Sequence, residues 1–263
     1  MGCGWLGLPL AQHLVQLGET VYGTTTRQEK HAALTLEGIQ PYTVRISEKE
    51  ICGDIDAVLS KVTKLVINVP PKLRGQHKEN FVVKIKLLYQ AIKKHPNIIH
   101  VIFVSSTAVY DGLSGTVNET TALSPSKESG KQLLAAEALF AGNKTYSTTI
   151  LRFGGLINDT RHPVQMLSGK SGLTNGNDPI NLIHLNDCIQ IITALVYKDP
   201  VNAIINGVAP QHPPKATYYT QQAARLGITP PKYIPGTPSK NRIVASTTLV
   251  PLLGYSFSHG LYI

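Results

Sequence analysis

The sequence lacks the features of secreted and membrane-spanning proteins. Its 263 residues include three cysteines, Cys3, Cys52 and Cys188, whose odd number and spacing fit neither a disulfide framework nor a metal or redox motif. No apolar run is long enough to span a bilayer, and no basic start followed by an apolar stretch indicates a signal peptide. We therefore predict a cytoplasmic protein that has no membrane partner.

Acidic side chains are also scarce, with 16 Asp and Glu against 25 Lys and Arg, which gives a formal net charge of +9. A basic face attracts nucleic-acid phosphates, but these lysines are scattered, and no segment interleaves aromatic side chains with arginines. Lys84, Lys86, Lys93 and Lys94 fit the solvated face of one amphipathic helix. We expect no nucleic-acid partner and attribute the charge to the surroundings of a polyanionic cofactor.

The sequence also lacks histidines at the spacing that metal ligands have. Among the nine histidines, no pair is spaced as two ligands on one helix or strand. We therefore predict no metal site. We expect His162, His184 and His212 to be buried or hydrogen bonded, although His184 could face a substrate cleft.

The start of the chain carries a glycine-rich motif, because Gly2, Gly4 and Gly7 follow the pattern G-x-G-x-x-G. In dinucleotide-binding proteins these glycines make a tight turn, let the backbone approach a diphosphate, and let helix and strand pack closely. The diphosphate then lies at the N-terminus of the following helix. An ordinary glycine-rich turn is the alternative, but leucines at helical spacing follow the motif. We predict these cofactor-binding residues: Gly2, Gly4, Trp5, Leu6 and Gly7.

A buried strand normally precedes this motif, and here the chain offers only Met1. In the strand order 3-2-1-4-5-6 that strand lies at the centre of the sheet, so its loss would leave its neighbours roughly 10 Å apart. We therefore expect that Met1 is not the native start and that a few apolar, β-branched residues precede Gly2.

The segment after the first predicted helix bears on the choice of cofactor. A strand at 20–24 leads to Arg27, and no acidic residue between Thr20 and Gln28 could bind the ribose 2′-hydroxyl of NAD. Arg27 and Thr24 offer donors suited to a 2′-phosphate. Arg27 could instead only cap a loop. We favour NADP, with NAD as the alternative.

Strands and helices alternate along the next hundred residues. We predict helices at 28–38 and 80–94, and strands at 41–46, 64–69 and 98–104. This alternation predicts an α/β fold with a doubly wound parallel sheet, that is, an NAD(P)-binding Rossmann fold. Ligands bind at the carboxyl ends of such strands, where we place three further cofactor-binding residues, Asn68, Pro70 and Ser105.

The segment 104–110, Val-Ser-Ser-Thr-Ala-Val-Tyr, resembles the extended short-chain dehydrogenase/reductase superfamily, and within it the NAD-dependent epimerase/dehydratase group. Further segments that resemble this family occur over nearly the whole chain, in the same order as in the family. They are the glycine loop and the segments 68–71, 117–119, 150–155 and 181–187. Arg161-His162-Pro163 followed by Gly169-Lys170 looks like an atypical bacterial branch of that group.

The resemblance implies a catalytic Ser or Thr, a Tyr and a Lys, with the last two spaced Y-x-x-x-K. Aligned on this chain, the hydroxyl role falls on Ser106 and the lysine on Lys131, but the tyrosine position holds Lys127. Lys131 one turn away would depress the pKa of Lys127, so Lys127 could act as an acid or base. Alternatively, Lys127 is a solvated side chain on a helix that has lost its catalytic Tyr. Tyr110 is a conceivable substitute, although in the family that position serves structure.

We thus expect a cofactor-binding domain at residues 1–155 and a smaller substrate-binding lobe at 156–263, interleaved with the first domain. The resemblance implies a reductase or epimerase that acts on a nucleotide-sugar or a related carbonyl compound. The rival hypothesis is a non-catalytic NADP-binding sensor or interaction protein. Its partners would be small molecules, and it would be a monomer or homodimer.

Overall fold

A computed structural model describes residues 1–71 and 79–262. Its strands, in chain order, are β1 (Tyr22–Thr25), β2 (Gln40–Ile46), β3 (Ile51–Gly53), β4 (Lys64–Ile67), β5 (His100–Ser106), β6 (Thr116–Val117), β7 (Ser147–Phe153), β8 (Gly155–Ile157), β9 (Leu182–His184), β10 (Ala203–Gly207) and β11 (Ile243–Val244). Its helices are α1 (Gly7–Gln16), α2 (His31–Leu36), α3 (Ile55–Leu59), α4 (Phe81–Ile92), α5 (Glu128–Phe140), α6 (Pro163–Leu167), α7 (Leu185–Tyr197), α8 (Lys215–Arg225) and α9 (Leu249–Leu253).

The predicted parallel α/β architecture is confirmed. One sheet has the order β10-β7-β5-β4, with every pair parallel. A second sheet has the order β1-β2-β3, in which β1 and β2 are parallel and β3 is antiparallel. On β5, Val101 and Phe103 pack with α4 and α5, while Ile102 packs with α1 and α7. Helices therefore cover both faces, as in a doubly wound sheet.

Between β1 and β4, the first three residues take the place of a strand. The Met1 amino group donates to the Val66 carbonyl at 2.6 Å, and the Asn68 N–H donates to the Met1 carbonyl at 3.0 Å. On the other side, the Cys3 N–H donates to the Thr24 carbonyl at 2.9 Å. Next to Met1, a cleft of about 660 Å³ remains between β1 of one sheet and β4 of the other.

The second half of the chain also contributes to the main sheet. β10 extends it beside β7, and α7 packs on α1 in the core that includes Leu10, Leu14 and Ile192. A separate core around Val164 and Tyr218 joins α6, α8 and the short β8-β9 sheet. The boundary predicted at residue 155 remains a prediction.

One expectation about the surface is wrong. Lys84 on α4 is buried and forms an ion pair with Glu79, whereas Lys86, Lys93 and Lys94 are exposed. A buried ammonium group needs a partner, and Glu79 supplies it from the segment before the helix. Within the described residues, no helix is both long and apolar enough to cross a membrane.

Candidate functional site

The glycine loop has the geometry that its motif predicts. A Cβ atom on Gly7 would lie 2.1 Å from the Gly2 carbonyl oxygen, and one on Gly2 would lie 2.5 Å from that of Asn68. Gly2 also has a φ of +91°, which other residues rarely adopt. Gly4, by contrast, is exposed, and a Cβ there would meet no atom within 4 Å. The loop is thus closed on the protein side and open on the side where a ligand can approach.

Two of the predicted residues hold this loop in place. Thr24, at the carboxyl end of β1, is buried, and its Oγ1 accepts the Gly2 N–H at 2.9 Å. Asn68, just beyond β4, lies against Gly2 and Gly7. The structure therefore brings Thr24 and Asn68 to the loop, while their contacts with a cofactor remain predictions.

The two apolar residues of the loop have different surroundings. Leu6 is buried in the core beneath α1, so only its main chain can face a ligand. Trp5 is half-buried, and the guanidinium of Arg161 lies 5.0 Å from the centroid of its ring.

A basic cleft of about 430 Å³ adjoins the loop at the carboxyl ends of β1 and β2. Arg27, Lys30 and Arg45 line it and are exposed. Glu79, which also lines the cleft, forms the ion pair with Lys84. Pro70 lies on its rim and is exposed. The cleft therefore presents positive charge beside the glycine loop.

Arg27 was predicted from the sequence, whereas Lys30 and Arg45 were not. Lys30 lies one turn after Arg27, and Arg45 lies near the end of β2, where its guanidinium reaches the Thr26 carbonyl at 3.5 Å. The parallel pairing of β1 with β2 puts both ends at one edge of the sheet. This pairing is a tertiary contact, so no local feature of the sequence around Arg45 marks it as lining the cleft.

The residues predicted to be catalytic lie around the carboxyl end of β5 and the start of α5. The Ser106 hydroxyl accepts the Ala108 N–H at 3.2 Å and so caps the 3-10 turn Thr107–Tyr110. Lys131 is exposed on the first turns of α5. Whether these side chains act in catalysis remains a prediction.

Lys127, at the position of the family Tyr, precedes α5 with its side chain 74% exposed. Its ammonium lies 3.3 Å from Asp111, which also accepts the Lys127 N–H and the Ser126 hydroxyl. Although burial raises the pKa of Asp111, the hydrogen bonds from Ser126 and Lys127 outweigh it and leave that pKa below its ordinary value. Lys127 therefore faces a carboxylate and solvent.

Tyr110 and Ser105 belong to a buried polar network under the site. The fully buried Tyr110 hydroxyl lies 3.0 Å from Arg152, which forms a buried ion pair with Glu137. Burial raises the pKa of Tyr110. The Ser105 hydroxyl donates to Glu137 at 2.6 Å, so any contact between Ser105 and a cofactor falls to its main chain.

A third group of polar side chains lies at the start of α7. The His184 and His259 rings stack at 4.7 Å, and the buried Asp187 accepts hydrogen bonds from Tyr255 and Ser258. His184 Nδ1 accepts the Asn186 N–H at 3.2 Å and so caps α7. The ligand atoms of His184, Asp187 and His259 lie within 4.8 Å of one another, close enough to hold a metal ion, so the predicted absence of a metal site remains a prediction. The group fastens the C-terminal segment to α7. His162 and His212 are likewise hydrogen bonded, as expected.

Comparisons with known proteins agree with this geometry. No family model matches the chain. Protein YeeZ of Escherichia coli K12 is 34% identical over 262 residues, covering 98% of this chain and 94% of YeeZ. Among solved structures, MoeE5 in complex with UDP-glucose and NAD has a TM-score of 0.79 at 19% identity, covering 99% of this chain and 92% of that one. UDP-glucuronic acid 4-epimerase from Bacillus cereus, in complex with NAD, has a TM-score of 0.75 at 19% identity, with coverage of 99% and 92%. At these identities the structural likeness concerns the fold.

Proposed function

The chain belongs to the family of Protein YeeZ. We propose that this family is part of the extended short-chain dehydrogenase/reductases, in the NAD-dependent epimerase/dehydratase group, and that the chain is an NADP-dependent oxidoreductase or epimerase-like enzyme; its fold, shared with MoeE5, supports this. Its substrate is a nucleotide-sugar or a related carbonyl compound. The single observation that carries the proposal is the glycine loop, closed toward the protein and open at Gly4, beside a cleft lined by Arg27, Lys30 and Arg45.

The described residues fit a dinucleotide diphosphate on the loop and a 2′-phosphate in the basic cleft. Gly4 leaves room for close approach, and the start of α1 provides main-chain N–H donors. Three cations around one phosphate favour NADP over NAD, which carries a hydroxyl there. When bound, the nicotinamide supplies hydride-transfer chemistry.

The substrate would lie beside Ser106 and the start of α5. The Ser106 hydroxyl would orient the substrate oxygen, and Lys131 would hold the ribose of the cofactor. Lys127 would exchange a proton with the substrate, for which its ammonium must leave Asp111. The proposed substrate class follows MoeE5 and the B. cereus epimerase, whose structures contain or are named for UDP-sugars. We further propose that the protein is cytoplasmic and a monomer or homodimer.

A second candidate function is binding without turnover, as a sensor of NADP or a cofactor-dependent interaction protein. The contact between Lys127 and Asp111 favours it, because it occupies the side chain at the family's tyrosine position. The burial of Tyr110 favours it too, because a fully buried phenol cannot reach a substrate.

The experiment that separates these functions is a calorimetric titration with NADPH and NADH, followed by a screen of carbonyl compounds and UDP-sugars monitored by nicotinamide absorbance. The enzyme hypothesis expects tighter binding of NADPH and turnover with at least one compound. Tight binding without turnover of any compound supports the sensor, and failure to bind either dinucleotide refutes both.

A further inference from the structure

The contact between Trp5 and Arg161 joins the glycine loop to the second half of the chain. Trp5 stands between the second and third glycines of the motif. The guanidinium of Arg161 lies over its ring, 5.0 Å from the centroid. An arginine that lies over an aromatic ring keeps N–H groups available for other partners.

The backbone of Arg161 is held on both sides, so this placement is a property of the fold. The Arg161 N–H donates to the Asn158 side chain at 2.8 Å, and the Asn158 N–H donates to the Arg161 carbonyl at 3.0 Å. The next residue, His162, is buried, caps α6 and hydrogen bonds to Tyr218 at 2.8 Å. A fixed main chain therefore supports an exposed cationic side chain next to the loop.

No carboxylate in the ranges 1–71 and 79–262 forms an ion pair with Arg161. The contact that the guanidinium makes with the Trp5 ring is not an ion pair. The Arg161 guanidinium lies beside the main-chain N–H donors of the glycine loop, so one anionic ligand could accept hydrogen bonds from both. The planar array of donors on Arg matches the oxygens of a phosphate group. The ligand chemistry that fits is a diphosphate.

We propose that Arg161 is a clamp that donates hydrogen bonds to the dinucleotide diphosphate lying on the glycine loop. This proposal rests on the proposed function, since it presupposes that the loop binds the cofactor. The diphosphate of a nucleotide-sugar would offer the same oxygens. We assign Arg161 to the diphosphate of the cofactor, because Trp5, over whose ring Arg161 lies, is itself part of the glycine loop. Arg161 thus adds a contact from the second half of the chain to a site otherwise built from the first.

The test measures the affinity of three probes by calorimetry: NADPH, UDP-glucose, and 2′-AMP, which has a 2′-phosphate but no diphosphate. The variants are Arg161→Ala, Arg161→Lys and the matched control Arg225→Ala, since the Arg225 guanidinium lies over the Tyr262 ring at a similar distance, 4.9 Å from its centroid. Trp5 is the chain's single tryptophan, so its fluorescence reports independently on a ligand at the loop.

We expect Arg161→Ala to weaken NADPH binding by about 10- to 100-fold, the value of a charge-assisted hydrogen bond, and to leave 2′-AMP binding within about twofold. Arg161→Lys should give an intermediate loss, because it keeps the charge without the planar donors. Arg225→Ala should bind all probes as the wild type does, and NADPH should change Trp5 fluorescence.

Other outcomes would overturn the clamp. Unchanged NADPH affinity in Arg161→Ala excludes it while leaving the proposed function intact, and equal losses for NADPH and 2′-AMP indicate a general structural defect instead. A loss confined to UDP-glucose assigns Arg161 to the substrate diphosphate. A wild type that binds neither NADPH nor 2′-AMP refutes the proposed function itself, and the clamp with it.

Discussion

At the scale of single residues, the ion pair between Glu137 and Arg152 shows how the molecule supports its candidate site. Both side chains are 3% exposed and lie 2.6 Å apart. Glu137 also accepts the Ser105 hydroxyl, and Arg152 also donates to the Tyr110 hydroxyl. Removing one partner of such a pair costs about 3–5 kcal/mol, because it leaves a buried charge uncompensated. The network thus fixes the end of β5, and Ser106 with it.

Arg27 should determine the choice between the two dinucleotides. Replacing Arg27 with Ala removes one of three cations from the cleft at the end of β1. We expect NADPH affinity to fall about tenfold or more, while NADH affinity changes less than about twofold. Calorimetric titration checks this, with Arg225→Ala as control. Equal losses for both dinucleotides would contradict a 2′-phosphate site.

The Lys127→Tyr variant tests whether the acid–base catalysis that the family resemblance implies can be restored. Lys127→Tyr removes an exposed ion pair with Asp111, which costs about 0–1 kcal/mol, and places a phenol where the family has one. Turnover of any carbonyl substrate should rise by up to about 10²-fold, the lower end of the contribution of a positioned acid or base.

The controls for this prediction use neighbouring and distant positions. Ser106→Ala and Lys131→Ala should each lower turnover, and Lys86→Tyr, at an exposed position on α4, should leave it unchanged. A Lys127→Tyr variant that binds NADPH normally and gains no turnover would favour the sensor function.

His162 should make stability depend on pH. Burial lowers its pKa from 6.5 to about 4, because the charged ring loses its contact with water. The neutral ring is hydrogen bonded, since its Nδ1 accepts the Val164 N–H and its Nε2 lies 2.8 Å from the Tyr218 hydroxyl. Between these two pKa values the unfolded state binds the proton and the folded state does not, so the free energy of unfolding falls as the pH falls from about 6.5 to 4.

Thermal melts between pH 7 and 4.5 test this dependence. His162→Gln should have a lower Tm at pH 7, because it loses hydrogen bonds, and the difference from the wild type should shrink toward pH 4.5. The partly exposed His13 provides the control variant His13→Gln. A difference that stays constant across the range would mean that His162 does not titrate as expected.

At the scale of secondary-structure elements, the cleft between β1 and β4 separates the two sheets. Met1 places its amino group there, and burial lowers the pKa of that group. Replacing Met1 with an initiator Met followed by Val-Ile-Val-Ile should fill the cleft and remove a buried charge. Even half of the burial energy of four apolar side chains, about 3–6 kcal/mol, would raise Tm by on the order of 10 °C.

The control for this extension is Gly-Ser-Gly-Ser at the same place, which has the same length without the apolar side chains. It should leave Tm within about 2 °C of the original chain, by the same relation between free energy and Tm. If both extensions give the same Tm, the cleft does not accept a strand.

At the scale of the whole molecule, the two halves of the chain depend on each other. β10 pairs with β7, and α7 covers the face of the sheet on which α1 lies. A fragment of residues 1–155 lacks both elements, so we expect it to have no cooperative thermal transition, while the full chain melts in one. A fragment of residues 1–209, which restores both, should regain cooperativity. Cooperative melting of the shorter fragment would show that residues 1–155 are an independent domain.

The sequence by itself determined the features that depend on local sterics and on periodicity. Gly2 and Gly7 were predictable because no side chain fits where they lie, and the parallel α/β sheet because buried strands read as apolar, β-branched runs. The presence of Lys127 where the family resemblance implies a catalytic Tyr was readable too, although its effect on catalysis remains a prediction.

The tertiary structure alone decided which distant side chains meet. The pairing of β1 with β2 brought Arg45 to Arg27, and the fold placed Arg161 on Trp5. Lys84 matched a solvated helical face by periodicity but is buried, because Glu79 lies against it. Periodicity reports which face of one element is apolar, whereas the partner of a charge depends on the segments that pack against that face.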